Sequence, residues 1–231
     1  MPRNVEKKKT KEITSEPTHR DNSPELRLWT AHGLEDVFYQ REVQVNFWTV
    51  LGGLAMAALL TQLAPLLHEI QGSRWYLLLY LVTSILILAN SWVQTTWGSL
   101  IMKWPISIAG TIIVLFQMLM QSIQCLLVTN PSGWLAATAG IIFFALANQI
   151  YFERSGAWQV YSPESIKRYK FINNIYLILM LICLAGAFQL YRFPSHLAEM
   201  IWGFAALFLS IMALYLQHGN IQAEKKRMEI P

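Results

Sequence analysis

Long apolar stretches separated by short polar turns dominate the chain from about residue 45 onwards. About 18 or more apolar residues without charge are enough for a helix to cross a bilayer. By that criterion the pattern predicts six transmembrane helices, at about residues 45–67, 75–96, 105–128, 133–152, 171–190 and 197–216. We therefore expect an all-α, polytopic integral membrane protein, folded as a bundle of six transmembrane helices.

The polar segments divide the rest of the chain. We predict a disordered basic cytoplasmic tail at residues 1–22 and an amphipathic helix at the cytoplasmic interface at residues 23–43. The six-span transmembrane domain follows at residues 44–217 and contains one sizeable cytoplasmic loop, 153–170. Residues 218–231 are expected to form a second cytoplasmic tail. Within the loop, Ser162-Pro163-Glu164 predicts a helix start. Serine is a common helix cap, and proline is favoured at the first helical position.

Two even-numbered spans share a short motif. Ile87-Leu88-Ala89-Asn90 in the second span resembles Ala145-Leu146-Ala147-Asn148 in the fourth. One interpretation is that the domain consists of three tandem helical hairpins that arose by duplication. The other is chance, because apolar helices resemble one another in composition.

The distribution of basic residues predicts the orientation. If the N-terminus is cytoplasmic, all of the 18 Lys and Arg residues except Arg74 and Arg192 fall on the cytoplasmic side. Cytoplasmic loops carry an excess of these residues, so we expect both termini inside. The basic N-terminal tail has few interleaved aromatic residues, which favours anionic lipid over nucleic acid as its partner. Short loops and the lack of an Asn-X-Ser/Thr acceptor favour a bacterial inner (plasma) membrane.

Amide side chains inside the spans are the most informative feature for function. In the third span Gln117, Gln121 and Gln124 share one helix face, because they are four and then three residues apart. Asn90 and Gln94 in the second span and Asn148 in the fourth are expected to face inwards too. An amide that faces lipid lacks hydrogen-bond partners, so these groups must point at protein or water. They form either a neutral polar path or a face that docks another helix.

A second group of polar residues lies at the predicted outer surface. His68 and Glu69 end the first span, while His196 and Glu199 begin the sixth. Glu199 is our candidate for a gating or recognition charge. The same residues could bind a metal if the two spans are neighbours, with His68, His196 and Glu199 as candidate ligands. No spacing rule brings the two pairs together, so we predict no metal site and no cofactor.

Basic residues also gather around the cytoplasmic loop. They are Arg154, Lys167, Arg168 and Lys170. Such a rim can enforce topology and contact lipid phosphates, or it can dock an acidic partner.

Three functional hypotheses follow from these residues. The first is a permease or channel-like protein with a neutral polar path, and the second is a non-catalytic membrane subunit or assembly factor that docks another membrane protein. The third is a membrane enzyme that acts on lipid through the outer cluster. The sequence contains no GxSxG, HExxH or P-loop motif, and therefore we expect no enzyme activity. Besides the lipid bilayer, we expect a homo-oligomer or a membrane protein partner.

Overall fold

The structure is a computed structural model that describes residues 33–100, 108–154 and 163–227. Within these ranges the chain forms seven helices: α1 (Gly33–Thr61), α2 (Leu63–Gln71), α3 (Leu77–Leu100), α4 (Ile108–Leu126), α5 (Pro131–Arg154), α6 (Pro163–Arg192) and α7 (His196–Arg227). The described residues contain no strand. The predicted all-α fold is therefore confirmed.

Six stretches of these helices are long and apolar enough to cross a membrane, which confirms the predicted number. They are Asn46–Gln71, Leu77–Gln94, Ala109–Leu126, Pro131–Tyr151, Lys170–Arg192 and His196–Gly219. The protein is accordingly a multi-pass membrane protein.

The first span consists of two helices, α1 and α2, because of one proline. Pro65 has no backbone N–H to donate to the carbonyl of Thr61, and its ring would clash with that carbonyl in a continuous α-helix. The helix breaks at Gln62, where the backbone N–H donates to the carbonyl of Leu59 at 3.0 Å. The first span therefore consists of two consecutive helices interrupted at Gln62, and it continues to Gln71.

The ends of the predicted domains are partly visible. From Gly33 onwards the predicted interfacial helix is continuous with the first span, while residues 1–32 lie outside the described residues. Helix α6 begins at Pro163, as the Ser-Pro-Glu signal predicts. In the second tail α7 continues to Arg227, and residues 228–231 lie outside the described residues.

The helices do not pack strictly in chain order. Helix α4 lies between α1 and α5, and α5 also packs along α6. Helix α3 packs against α7 and α1. The fifth and sixth spans meet closely at Gly186, where a Cβ atom would lie 2.8 Å from the ring of Trp202. The proposed hairpin repeat stays a prediction.

The buried core lies beside α5. Trp134, Tyr80 and Leu135 are among its largest fully buried side chains. In the fourth span 39% of the apolar window is buried inside the protein, compared with 6% in the sixth. The fourth span is therefore central, and the sixth presents most of its apolar surface outwards, where lipid can cover it.

Candidate functional site

The glutamine face of α4 points into the bundle. Gln117, Gln121 and Gln124 are 8%, 1% and 1% exposed, respectively. Neighbouring side chains on the same helix, such as Phe116 and Ile123, are exposed on its apolar outer surface. The amides thus face this chain's own helices rather than lipid, as their spacing predicts.

Two of the three glutamines join helices by hydrogen bonds. Gln121 Nε2 donates to Ser91 Oγ at 2.5 Å and to the carbonyl oxygen of Ile87 at 3.4 Å, both on α3. Gln124 Nε2 donates to Thr138 Oγ1 on α5 at 2.7 Å. Thr138 in turn donates to the carbonyl of Trp134 at 2.8 Å. These two amides therefore fix α4 against α3 and α5.

The third glutamine lines a cavity of about 120 Å³ in the middle of the bundle. Helices α3 to α7 all contribute to its wall. Its polar lining includes Asn90, Ser91, Gln94, Gln117, Tyr176 and Ser210. Ile87, Ile141, Ile142, Leu179 and Leu209 make much of the remaining wall apolar. Among the described residues, no side chain that lines this cavity carries a charge.

The polar groups of the cavity differ in how well they are paired. Gln94 Nε2 donates to the Tyr176 hydroxyl at 3.5 Å, which is a long contact. Asn90 Oδ1 is buried and has no hydrogen-bond partner in the described part of the chain. Gln117 likewise makes no side-chain hydrogen bond to the described residues. Two amide side chains that line the cavity, Asn90 and Gln117, are thus not paired with other described side chains.

The structure separates the amides that the sequence grouped together. Asn90, Gln94 and Gln117 line the cavity, whereas Gln121 and Gln124 act in helix packing. Asn148 is half-buried but does not line the cavity. Tyr176 and Ser210 also line the cavity. Nothing in the sequence singles them out, because single hydroxyl residues are common in apolar helices.

A charged cluster lies at one end of the bundle, which we call the Arg74 end. Arg74 is its centre: one terminal guanidinium nitrogen lies 3.0 Å from Glu69 Oε2, and the second terminal nitrogen lies 3.1 Å from Glu199 Oε2. The third nitrogen, Nε, donates to the Tyr76 hydroxyl oxygen at 3.1 Å. Tyr76 also donates its hydroxyl proton to Glu199 Oε2. His196 Nδ1 lies 2.6 Å from the Tyr76 hydroxyl oxygen. These five residues tie the first, second and sixth spans together.

The cluster changes the protonation equilibria of its members. Burial alone would lower the pKa of Arg74, but its hydrogen bonds to Tyr76, Glu69 and Glu199 raise that pKa overall. Burial and the hydrogen bond to Glu199 raise the pKa of Tyr76. At neutral pH, therefore, the guanidinium stays charged and the phenol keeps the proton that it donates.

Three of the four residues predicted at this surface come together. Glu69, His196 and Glu199 belong to the cluster, while the side chain of His68 is exposed and lies outside it. A cation already sits between the two carboxylates, because Arg74 bonds to both. Within the described ranges, no group of three His, Cys, Asp or Glu residues is placed to hold a metal ion.

Arg74 and Tyr76, which were not among the candidate residues predicted from the sequence, organise this cluster. A signal was present, since Arg74 is one of two basic residues on the predicted outer side. An isolated cation at the end of a helix favours ion pairing with nearby carboxylates, which here are Glu69 and Glu199.

The predicted basic rim lies at the opposite end of the bundle. Lys170 Nζ lies 3.2 Å from Glu153 Oε1, so this exposed pair joins the C-terminal end of α5 to α6. Arg154 and Lys167 are exposed, and Arg168 lies in α6. Exposed pairs of this kind contribute little to stability.

Aromatic residues connect the charged cluster to the cavity. The Tyr80 hydroxyl donates to the backbone carbonyl of Glu199 at 2.6 Å. The Tyr80 ring meets the ring of Trp134 edge to face at 5.1 Å, and Trp134 Nε1 donates to Ser84 Oγ at 2.8 Å. Because Trp134 also lines the cavity, the Arg74 end and the cavity share one continuous packed wall.

Fold and site together define the class: a multi-pass helical membrane protein with a neutral cavity in its middle and an ionic cluster at one end. Comparison with protein-family models, with curated proteins and with solved structures gave no match.

Proposed function

We propose that the protein is a permease or channel-like protein for small uncharged molecules, and that the mid-bundle cavity is a station on its path. The observation that carries this proposal is the pair of amides, Asn90 and Gln117, that line the cavity without hydrogen-bond partners among the described residues. A purely structural amide inside a membrane protein is normally paired, because an unpaired one is costly in hydrocarbon.

The lining supports a neutral solute rather than an ion. A charge in the membrane interior is costly, and proteins that carry ions usually offer charged partners or rings of carbonyl groups. The described lining offers amides, hydroxyl groups and aliphatic side chains. An uncharged molecule can enter such a site without losing strong hydration.

The alternative of a non-catalytic subunit must use another surface. Its proposed docking face was the glutamine face, and Gln121 and Gln124 are 1% exposed and bonded to this chain's own helices. A partner would have to cover apolar side chains such as Phe204 and Phe208 on α7, which lipid covers equally well.

Two native cysteines provide a matched test. Cys183 lines the cavity, while Cys125 is buried in the core and does not. We expect methyl methanethiosulfonate, a small uncharged reagent, to modify Cys183 in a Cys125→Ala variant. The same reagent should leave Cys125 unmodified in a Cys183→Ala variant until the protein is unfolded. The readout is intact mass against time in lipid nanodiscs.

A cavity-filling variant gives the control. Ala213 lines the cavity, so Ala213→Leu should protect Cys183. Ala136 is exposed on α5, and Ala136→Leu should have no effect. If Cys183 is as unreactive as Cys125 in the folded protein, the cavity is closed and the proposed path is wrong.

A further inference from the structure

The cavity itself indicates which chemical class of molecule it holds. We infer that its ligand is an uncharged molecule of about five or six heavy atoms that carries an N–H or O–H donor, such as a small primary amide or alcohol. The ligand donates this proton to Asn90 Oδ1. The inference rests on the proposed function, since it assumes that solutes reach the cavity.

The need for a donor follows from Asn90. Its Oδ1 atom is an acceptor, buried and unpartnered in the described part of the protein. Leaving such a group unpaired destabilises the folded protein, so a ligand that supplies a donor recovers that cost. The other unpartnered amide oxygens of the described residues belong to side chains that do not line the cavity, namely Gln121, Gln124, Gln149, Asn173 and Gln217. Asn90 is thus the residue with an unpartnered acceptor whose side chain lines the cavity.

A second polar group favours a ligand that also accepts a hydrogen bond. The Gln117 amide lines the same cavity and has both donor and acceptor atoms. A primary amide or an alcohol can donate to one of these side chains and accept from the other. A hydrocarbon can do neither, and a ketone can only accept.

The rest of the wall limits the size and polarity of the ligand. A cavity of about 150 Å³ lined by aliphatic residues holds benzene, so the 120 Å³ here suits a slightly smaller body. Ile87, Ile141 and Leu179 offer no hydrogen bonds to further polar groups. Polyols and sugars would therefore leave hydroxyl groups unpaired, which disfavours them.

The test compares two fluorinated probes of nearly equal shape that differ in the donor. They are fluoroacetamide, which has N–H donors, and fluoroacetone, which has none, and each has five heavy atoms. Binding to the full chain in nanodiscs is followed by ¹⁹F NMR line broadening, with unlabelled propionamide as competitor. We expect the amide to bind saturably and at least about tenfold more tightly than the ketone, the ratio that one hydrogen bond of about 1.4 kcal/mol provides.

Matched variants identify the acceptor. Asn90→Leu should lower the affinity for the amide about tenfold and leave that for the ketone unchanged, which also shows that the variant is folded. Asn148→Leu removes an amide that does not line the cavity and should change neither affinity.

The outcomes separate this inference from the proposed function. Equal affinities for the two probes, or an unchanged amide affinity in Asn90→Leu, would overturn the inference. So would the failure of both probes to bind while Cys183 reacts with the thiol reagent, a result that leaves the path intact. If Cys183 is unreactive and neither probe binds, both the path and the ligand assignment are wrong.

Discussion

The Arg74 end and the mid-bundle cavity are both polar regions of an apolar bundle, but their hydrogen bonding differs. At the Arg74 end a cation lies between two carboxylates, and a phenol completes the group. In the cavity, Asn90 and Gln117 have no such partners among the described residues. Buried polar groups are normally satisfied. The first region thus holds helices together, and the unpartnered groups of the second support the proposal that it takes a ligand.

The type of polar group differs for a related reason. Full charges are tolerated near the ends of membrane helices, where water and headgroups are close, and are costly at mid-membrane. The described cavity lining is neutral accordingly. Substitutions at the Arg74 end should therefore change mainly stability, and substitutions in the cavity mainly binding and transport.

The largest effect on stability is expected from Glu199→Gln. The Glu199 side chain is 14% exposed and accepts from both Arg74 and Tyr76, so its loss leaves a half-buried cation with one remaining carboxylate. We expect a loss of about 3 kcal/mol of unfolding free energy, measured by denaturant titration in detergent micelles.

Glu69→Gln is the matched control for that variant. The Glu69 side chain is 39% exposed and has one ion-pair partner, so its loss should cost less than about 1 kcal/mol. Equal losses of unfolding free energy in the two variants would contradict the expectation that Glu199 contributes more to the cluster than Glu69.

A somewhat smaller effect is expected from Tyr76→Phe, with a characteristic pH dependence. The variant loses the hydroxyl group that donates to Glu199 and should cost about 1–2 kcal/mol at pH 7. The pKa of Tyr76 is raised in the folded protein, so its protonated hydroxyl stabilises the fold fully at every pH below the ordinary tyrosine pKa of about 10. This stabilisation is lost as the pH rises through the raised pKa.

The measurement is the difference in melting temperature between the native protein and Tyr76→Phe from pH 7 to pH 12. That difference should be constant to about pH 10 and shrink above it. A difference that already shrinks between pH 7 and pH 9 would contradict the assigned direction of the pKa shift.

The smallest effects on stability distinguish the two kinds of glutamine. Gln121→Leu loses the hydrogen bond to Ser91 and should cost about 1 kcal/mol, within the range measured for polar contacts between membrane helices. Gln117→Leu breaks no such bond and should change stability by less than about 0.5 kcal/mol. A larger loss for Gln117→Leu would assign this residue to helix packing and weaken the comparison between the two regions.

The fold could be predicted further than the site, for a physical reason. The bilayer requires each span to be long and apolar, so six spans are readable from composition and length alone. Which spans are neighbours is not readable, because apolar helix faces are alike in composition. The sequence therefore did not show that α3 packs against α7 or that Glu69 and Glu199 meet at Arg74.

For the candidate site, helix periodicity predicted the shared face of the three glutamines but not their partners. Whether an amide meets Ser91, Thr138 or a cavity depends on the neighbouring helix and its rotation. Gln117 differs from Gln121 only in that tertiary environment. The division between packing residues and cavity-lining residues consequently required the structure.

The most direct test of the proposed path is the rate at which a small neutral solute crosses the membrane. Proteoliposomes are mixed with propionamide in a stopped-flow instrument, and swelling is followed by light scattering. The native protein should raise the rate above that of protein-free liposomes, Ala213→Leu should return it to that level, and Ala136→Leu should behave as native. If Ala213→Leu carries propionamide as fast as the native protein, or if the native protein adds nothing to the lipid rate, the cavity is not on a transport path.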